Sequence, residues 1–159
     1  MKNWRQTGIA LVSTVLLSVS AWAAAGPAGH SHDETFSAGE LGNPKKRART
    51  VQITMGETDG KMMFVPNKVE VKKGKQIKFM LRNDGELDHE FVLATAQENL
   101  EHAEMMKKNP EMRHANARRV APKQTSELVW KFTKPGEFEF ACLIPGHYQA
   151  GMHGLVMVK

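Results

Sequence analysis

The stretch Cys142-Leu-Ile-Pro-Gly-His147-Tyr-Gln-Ala-Gly-Met152 decides how this chain is read. It holds the only cysteine among 159 residues, a histidine five positions later and a methionine five positions after that. Thiolate and thioether are soft donors that suit Cu(I), while imidazole serves both Cu(I) and Cu(II). A trigonal set of two histidines and a cysteine with a weak axial methionine is the blue-copper arrangement. The loop therefore needs one more histidine from elsewhere in the fold.

The flanks suit a ligand-bearing loop. Phe138, Phe140 and Cys142 alternate with Glu137, Glu139 and Ala141, the period-two pattern of a strand with one buried face. Pro145-Gly146 and Gly151 break the strand, and Leu155 to Val158 resumes as a short apolar strand. Phe-x-Phe-x-Cys, Pro-Gly-His and Gly-Met ahead of a final strand resemble the ligand loop of the cupredoxins, the small blue copper proteins. The resemblance covers residues 50–159. It implies an all-β, antiparallel Greek-key β-sandwich holding one type 1 copper ion.

Upstream, the alternation continues in Val51, Ile53 and Met55, then Val69 and Val71, then Ile77, Phe79 and Leu81. Asp59-Gly60, Pro66-Asn67, Lys73-Gly74 and Asp84-Gly85 punctuate these runs. Short strands with regular turns argue for an antiparallel sandwich and against a parallel sheet. Leu128, Trp130 and Phe132 form a further inward set, and Lys134-Pro135-Gly136 turns into the Cys142 strand.

Asp88-His89-Glu90 opens the strand Phe91 to Ala94. By itself His89 is equally a histidine exposed after a turn. In the family the first histidine ligand stands at the start of a middle strand, and His89 matches that position. The resemblance thus implies the metal set His89, Cys142, His147 and Met152. Several electron carriers of the family place Asn directly after this histidine, where it ties the ligand loops together. Glu90 stands there in this chain, which leaves the surrounding hydrogen bonds open.

Residues 1–25 read as a secretory signal peptide. Lys2 and Arg5 charge its start, Gly8 to Val19 are apolar, and Ala21-Trp22-Ala23 offers a cleavage site. An uncleaved anchor is the competing reading, but the apolar run falls short of the roughly 20 residues that span a bilayer. The expected destination is the periplasm, with no membrane span after cleavage. A lone cysteine in an exported protein points to reactivity or metal binding. Removing the leader takes two of the 22 basic residues and none of the 17 acidic ones, leaving a net charge of +3. That gives no case for nucleic-acid binding. About 135 residues remain, enough for one domain with its own core.

Residues 26–49 read as a flexible arm carrying His30-Ser-His32, either an ordinary polar tail or a loose metal-binding tract. Lys45, Lys46, Arg47 and Arg49 read as a solvated linker. A helical insertion is expected within residues 96–124. Gln97 to Asn109 is rich in helix formers, and Asn109-Pro110 ends it. His102, Met105 and Met106 share one helical face, with Met112 and His114 beyond. They are either an accessory copper-collecting surface or a plain helix that rests Leu100, Ala103 and a methionine on the sandwich and leaves His102 in solvent. Met62-Met63 carry the same ambiguity, and His153 is either a competing axial ligand or a surface histidine.

In such a site a rigid cage that compromises between the geometries of the two copper states permits electron transfer with no bond made or broken. Leu143, Ile144, Pro145 and Tyr148 are expected to form an apolar rim around His147, a docking point for a redox protein. There is no second cysteine for a dinuclear centre and no His-Cys-His cluster for a multicopper oxidase, so no enzymatic turnover is expected. Two roles fit: copper tolerance and homeostasis in the periplasm, or a one-electron carrier between respiratory or photosynthetic partners. The accessory His and Met residues and Glu90 lean toward the first, and sequences of this type resemble the periplasmic copper-tolerance cupredoxins.

Overall fold

The computed structural model describes residues 36–159. The signal-peptide stretch and His30-Ser-His32 lie outside the described residues. Ten strands and one helix follow in order: β1 (Glu40–Leu41), β2 (Arg49–Thr58), β3 (Lys61–Val65), β4 (Lys68–Val71), β5 (Gln76–Asn83), β6 (His89–Ala94), α1 (Ala96–Met106), β7 (Ala117–Val120), β8 (Thr125–Lys131), β9 (Gly136–Ala141) and β10 (His153–Val158). Met62 and Met63 lie in β3.

The strands form two five-stranded sheets, ordered β1-β8-β5-β2-β3 and β4-β10-β9-β6-β7. The expected sandwich is therefore present, with one difference in detail. The β2–β5 and β4–β10 pairs are parallel, because each joins strands that are not hairpin neighbours. Alternation along a strand reports which face is buried and says nothing about a partner's direction.

The inner faces meet in a single core. Ile53, Met55, Ile77, Phe79, Leu81, Leu128 and Trp130 come from the first sheet, and Val69, Phe91, Leu93, Phe138, Phe140 and Val156 from the second. Four phenylalanines interlock there. Phe91 stacks on Phe140 at 5.1 Å and 18°, and Phe64 meets both rings edge-on while Phe79 lies against Phe91. Such offset and edge-to-face contacts add to the stabilisation from burial alone.

All six residues of β6 are buried, so this strand lacks a solvent face. Helix α1 and residues beyond it cover its outer side. A second apolar cluster of Val92, Met106, Ala117, Ala141 and Leu143 sits there, with Ala103, Met112 and Tyr148 against it. Thr95 caps the helix through a capping box with Glu98. The expected insertion is thus a helix of 11 residues, followed by strand β7, which the sequence reading did not separate from a loop.

The helix face matches the expected one only in part: Met106 is buried and Ala103 packs against the same cluster. Asn99, His102 and Met106 are buried, whereas Leu100 is half exposed. The outward side of β9 carries Glu139, which is buried under α1 and accepts a hydrogen bond from Asn99 Nδ2 at 3.0 Å. A buried carboxylate needs donors, so the polar side of the helix turns inward over it.

Residues 36–49 also depart from the flexible arm that was expected. The Phe36 ring meets Trp130 edge-on at 5.2 Å, Ala38 is fully buried, and the Ala38 carbonyl accepts from Trp130 Nε1 at 3.1 Å. Glu40 and Leu41 then pair with Lys131 and Trp130. The polar composition of the segment conceals these anchors because their partner lies about ninety residues away in sequence.

Phe79 is fully buried in the core, in contact with Phe91 and Phe132 and remote in sequence from the Cys142 loop. Phe79→Ala is expected to lower stability by about 3–5 kcal/mol through lost transfer free energy and a residual cavity. Urea unfolding followed by tryptophan fluorescence measures it.

Candidate metal centre

Three of the four proposed ligand residues stand at strand ends. His89 is the first residue of β6, Cys142 directly follows β9, and Met152 directly precedes β10. His147 lies in the loop between Cys142 and Met152. Backbone hydrogen bonds close that loop on itself. Cys142 N–H donates to the Met152 carbonyl at 3.0 Å, Met152 N–H to the His147 carbonyl at 3.1 Å, and His147 N–H to the Ile144 carbonyl at 3.0 Å. Gly146 and Gly151 adopt φ of 92° and 100°, left-handed conformations that glycine enters without a Cβ penalty.

The result is a buried convergence. His89 Nδ1 and His147 Nδ1 are 3.3 Å apart, and Cys142 Sγ is 3.3 Å from His147 Nδ1. One donor atom from each of the three residues lies within 4.8 Å of the others. Cys142, His89 and Met152 are fully buried, and His147 is 8 % exposed. Donors this close can share a single first-row ion at bond lengths of about 2.0–2.3 Å. The donor chemistry, two imidazoles and a thiolate with a buried thioether beside them in the loop, fits copper.

The electrostatics also fit a cation. Burial lowers the pKa of both histidines. For His89 the Glu57 carboxylate opposes that shift, and for His147 the neighbouring His89 adds to it. Both rings are therefore neutral at neutral pH, with a lone pair to offer. Burial pushes the Cys142 thiol up to about 12, against hydrogen bonds from the Glu90 and Ile144 backbone that lower it. A metal ion at this site must displace the thiol proton.

Sequence reasoning missed the residues that support His89. Asn83 is fully buried at the end of β5. Its Nδ2 donates to the carbonyls of Leu87 at 2.7 Å and Val120 at 2.9 Å, and its Oδ1 accepts from Gly85 N–H at 2.9 Å. Glu57, at the far end of β2, accepts from Leu87 N–H at 2.9 Å and Glu86 N–H at 3.1 Å. Its Oε1 lies 3.1 Å from His89 Nε2, an ion-pair approach without the alignment of a full hydrogen bond. Neither residue belongs to a local motif.

Glu90 acts through its backbone. Its N–H points at Cys142 Sγ, 3.3 Å away, and so joins the two ligand segments. The Glu90 side chain is buried, and burial lifts its carboxyl to about 7 against the lowering influence of Arg119 and Arg113. It lines an open pocket with Met112, Arg113 and His114.

The other candidates divide. His102 is buried, not in solvent, with its ring 4.5 Å from that of His114. Met106 is buried in the outer cluster, and Met105 is about half exposed. His153 lies outside the His89–Cys142–His147 group. It stacks on Tyr148 at 4.9 Å, and its Nδ1 is 3.8 Å from Glu139. The expected rim around His147 is narrower than proposed. Pro145 is exposed and Ile144 and Tyr148 are partly so, but Leu143 is buried beneath the insertion.

Because burial pushes the thiol up to about 12 and the histidines below their ordinary range, Cu(II) uptake between pH 7 and 9 is expected to release one proton, from Cys142. Affinity is expected to rise about tenfold per pH unit there, and more steeply at acid pH, where the histidines must also lose protons. Competition titrations against a chelator across that range measure the slope.

The profile of the copper-binding proteins of the plastocyanin/azurin family matches residues 51–159. The chain is 45% identical over 132 residues to the copper-resistant cuproprotein CopI of Rubrivivax gelatinosus, covering 82% of this chain and 78% of that protein. It is 32% identical to the copper-resistant cuproprotein CopI of Pseudomonas aeruginosa, over 92% of this chain and 94% of that one. Reduced auracyanin from Roseiflexus castenholzii shares the fold with a TM-score of 0.59 at 18% identity, covering 72% of this chain and 99% of auracyanin. With its convergent histidine and cysteine donors and a profile match across the whole sandwich, the chain belongs to the plastocyanin/azurin family of copper-binding proteins.

Proposed function

We propose that this chain is a periplasmic copper-tolerance protein with one mononuclear type 1 copper site, formed by His89, Cys142 and His147 with Met152 as the weak axial ligand. The observation that carries this reading is the buried convergence of two neutral imidazoles and one thiol within 4.8 Å, in a chain similar to copper-resistant cuproproteins. Copper bound there supplies a one-electron redox couple.

The residues of the chain do the rest. The His147 to Met152 hydrogen bonds and the strand ends at His89 and Cys142 hold the donors in place whatever the oxidation state. Burial of Cys142, His89 and Met152 keeps water away from the thiolate. His147 is the least buried of the four and lies beside exposed Pro145, which makes it the point where a redox protein docks. In this reading the protein binds copper and carries its redox couple without turning over an organic substrate. The signal-like leader supports export. Among the described residues no helix is long and apolar enough to cross a membrane.

Titration of the purified mature protein with Cu(II) is expected to produce an intense thiolate-to-copper absorption band that saturates at one equivalent. Cys142→Ser is expected to abolish it, and absence of the band in the unaltered protein overturns the site. In cells, loss of the gene is expected to make growth copper-sensitive, with rescue by the unaltered gene and none by the Cys142→Ser form. A deletion strain that grows normally in high copper but loses electron-transport rate at low copper would assign the protein to electron shuttling instead.

A further inference from the structure

Glu57 belongs to the first sheet, yet its carboxylate reaches the rear of a ligand in the second. Two main-chain donors fix it, Leu87 N–H on Oε1 and Glu86 N–H on Oε2, at 2.9 and 3.1 Å. Both donors belong to the turn that delivers His89. The same Oε1 lies 3.1 Å from His89 Nε2, while the opposite ring nitrogen, Nδ1, faces His147 and the thiol. The carboxylate is thus one imidazole ring away from the copper position, on a ring that burial otherwise isolates from water.

Space around the carboxylate is tailored to it. Gly85 packs against Glu57 so closely that a Cβ there would collide with both carboxylate oxygens. Gly85 itself is held by the buried side chain of Asn83. The carboxylate is confined between a backbone without a side chain, two amide donors and the ring. Two amide donors and a ring nitrogen facing its oxygens suit a carboxylate.

On this geometry we propose that Glu57 is a positioning residue for the copper centre. Its carboxylate, 3.1 Å from Nε2, favours the His89 tautomer with the proton on that nitrogen and steadies the ring, and its negative charge biases the site toward the cupric form. The inference rests on the proposed assignment of His89, Cys142 and His147 as ligands. A carboxylate behind a metal-bound histidine raises the basicity of the ring, and removing such a partner commonly changes metal binding by about 10–100-fold. Extra negative charge favours the more positive oxidation state, so the bias has a defined sign.

Glu57→Gln tests this, because it keeps an acceptor of the same shape and removes the charge. In the full-length mature protein loaded with one copper, Glu57→Gln is expected to retain the thiolate band and to lower the Cu(II)-over-Cu(I) preference about tenfold. For a one-electron couple that is a rise in reduction potential of about 59 mV. Gly85→Ala approaches from the other side, since it pushes the carboxylate away from the ring while keeping its charge. It is expected to move the potential in the same direction by less. Asp84→Asn, which removes an exposed carboxylate paired with Arg82, controls for net charge and is expected to leave the potential in place. A Glu57→Gln shift no larger than that of Asp84→Asn, or lost thermal stability at unchanged potential, overturns the proposal and reduces Glu57 to a turn anchor. Absence of a thiolate band in the unaltered protein overturns the ligand assignment itself, a result distinct from an unmoved potential.

Discussion

The site depends on one short contact, the Glu90 N–H pointing at Cys142 Sγ across 3.3 Å. It joins the start of β6 to the end of β9, strands that pair only further along, from Val92 with Ala141 to Ala94 with Glu139. The ladder stops at Val92 and Ala141, and this contact links the two strands beyond it. A buried thiol is a poor partner for an amide, whereas a thiolate neutralised by a cation is a good one. The fold therefore carries a local deficit that metal binding corrects. In the core beneath, Phe91 from β6 stacks on Phe140 from β9 and packs the same two strands together.

Charge around the centre is arranged in two unlike ways. Glu57 is bonded to two amides and close to the His89 ring. Glu90 sits next to His89 in sequence, but its carboxyl is driven toward neutrality by burial and lines a pocket with Arg113 and Arg119. Chain neighbourhood is thus a poor guide to electrostatic influence here. The residue 32 positions upstream of His89 faces the ring, and the adjacent one contributes its backbone.

This pattern explains what was legible in the sequence. Cys142, His147 and Met152 are read directly because one short loop spaces them, and soft donors at such intervals have few other uses. The inward sets of Phe79, Phe140 and Trp130 follow from alternation. His89 required a family likeness, since its loop neighbours carry no local signature. Asn83, Glu57 and Glu139 were not legible, because each is polar and becomes buried only through partners on other strands or on the helix. The docking of Phe36 on Trp130 was hidden for the same reason. In α1 the propensity and the packing of Met106 and Ala103 were legible, but Leu100 and His102 were misplaced, because hydrophobicity selects Leu100 while Glu139 requires Asn99.

The seating of β10 has a consequence for when the protein acquires its metal. This strand lies between β4 and β9, parallel to one and antiparallel to the other, and follows every other strand in the chain. Until it slots in, Met152 has no fixed place and the carbonyl that receives the Cys142 N–H is missing. While β10 is unseated the single thiol of Cys142 stays open, and it is enclosed only when this last strand pairs with β4 and β9. Cofactor capture is in this way timed by topology.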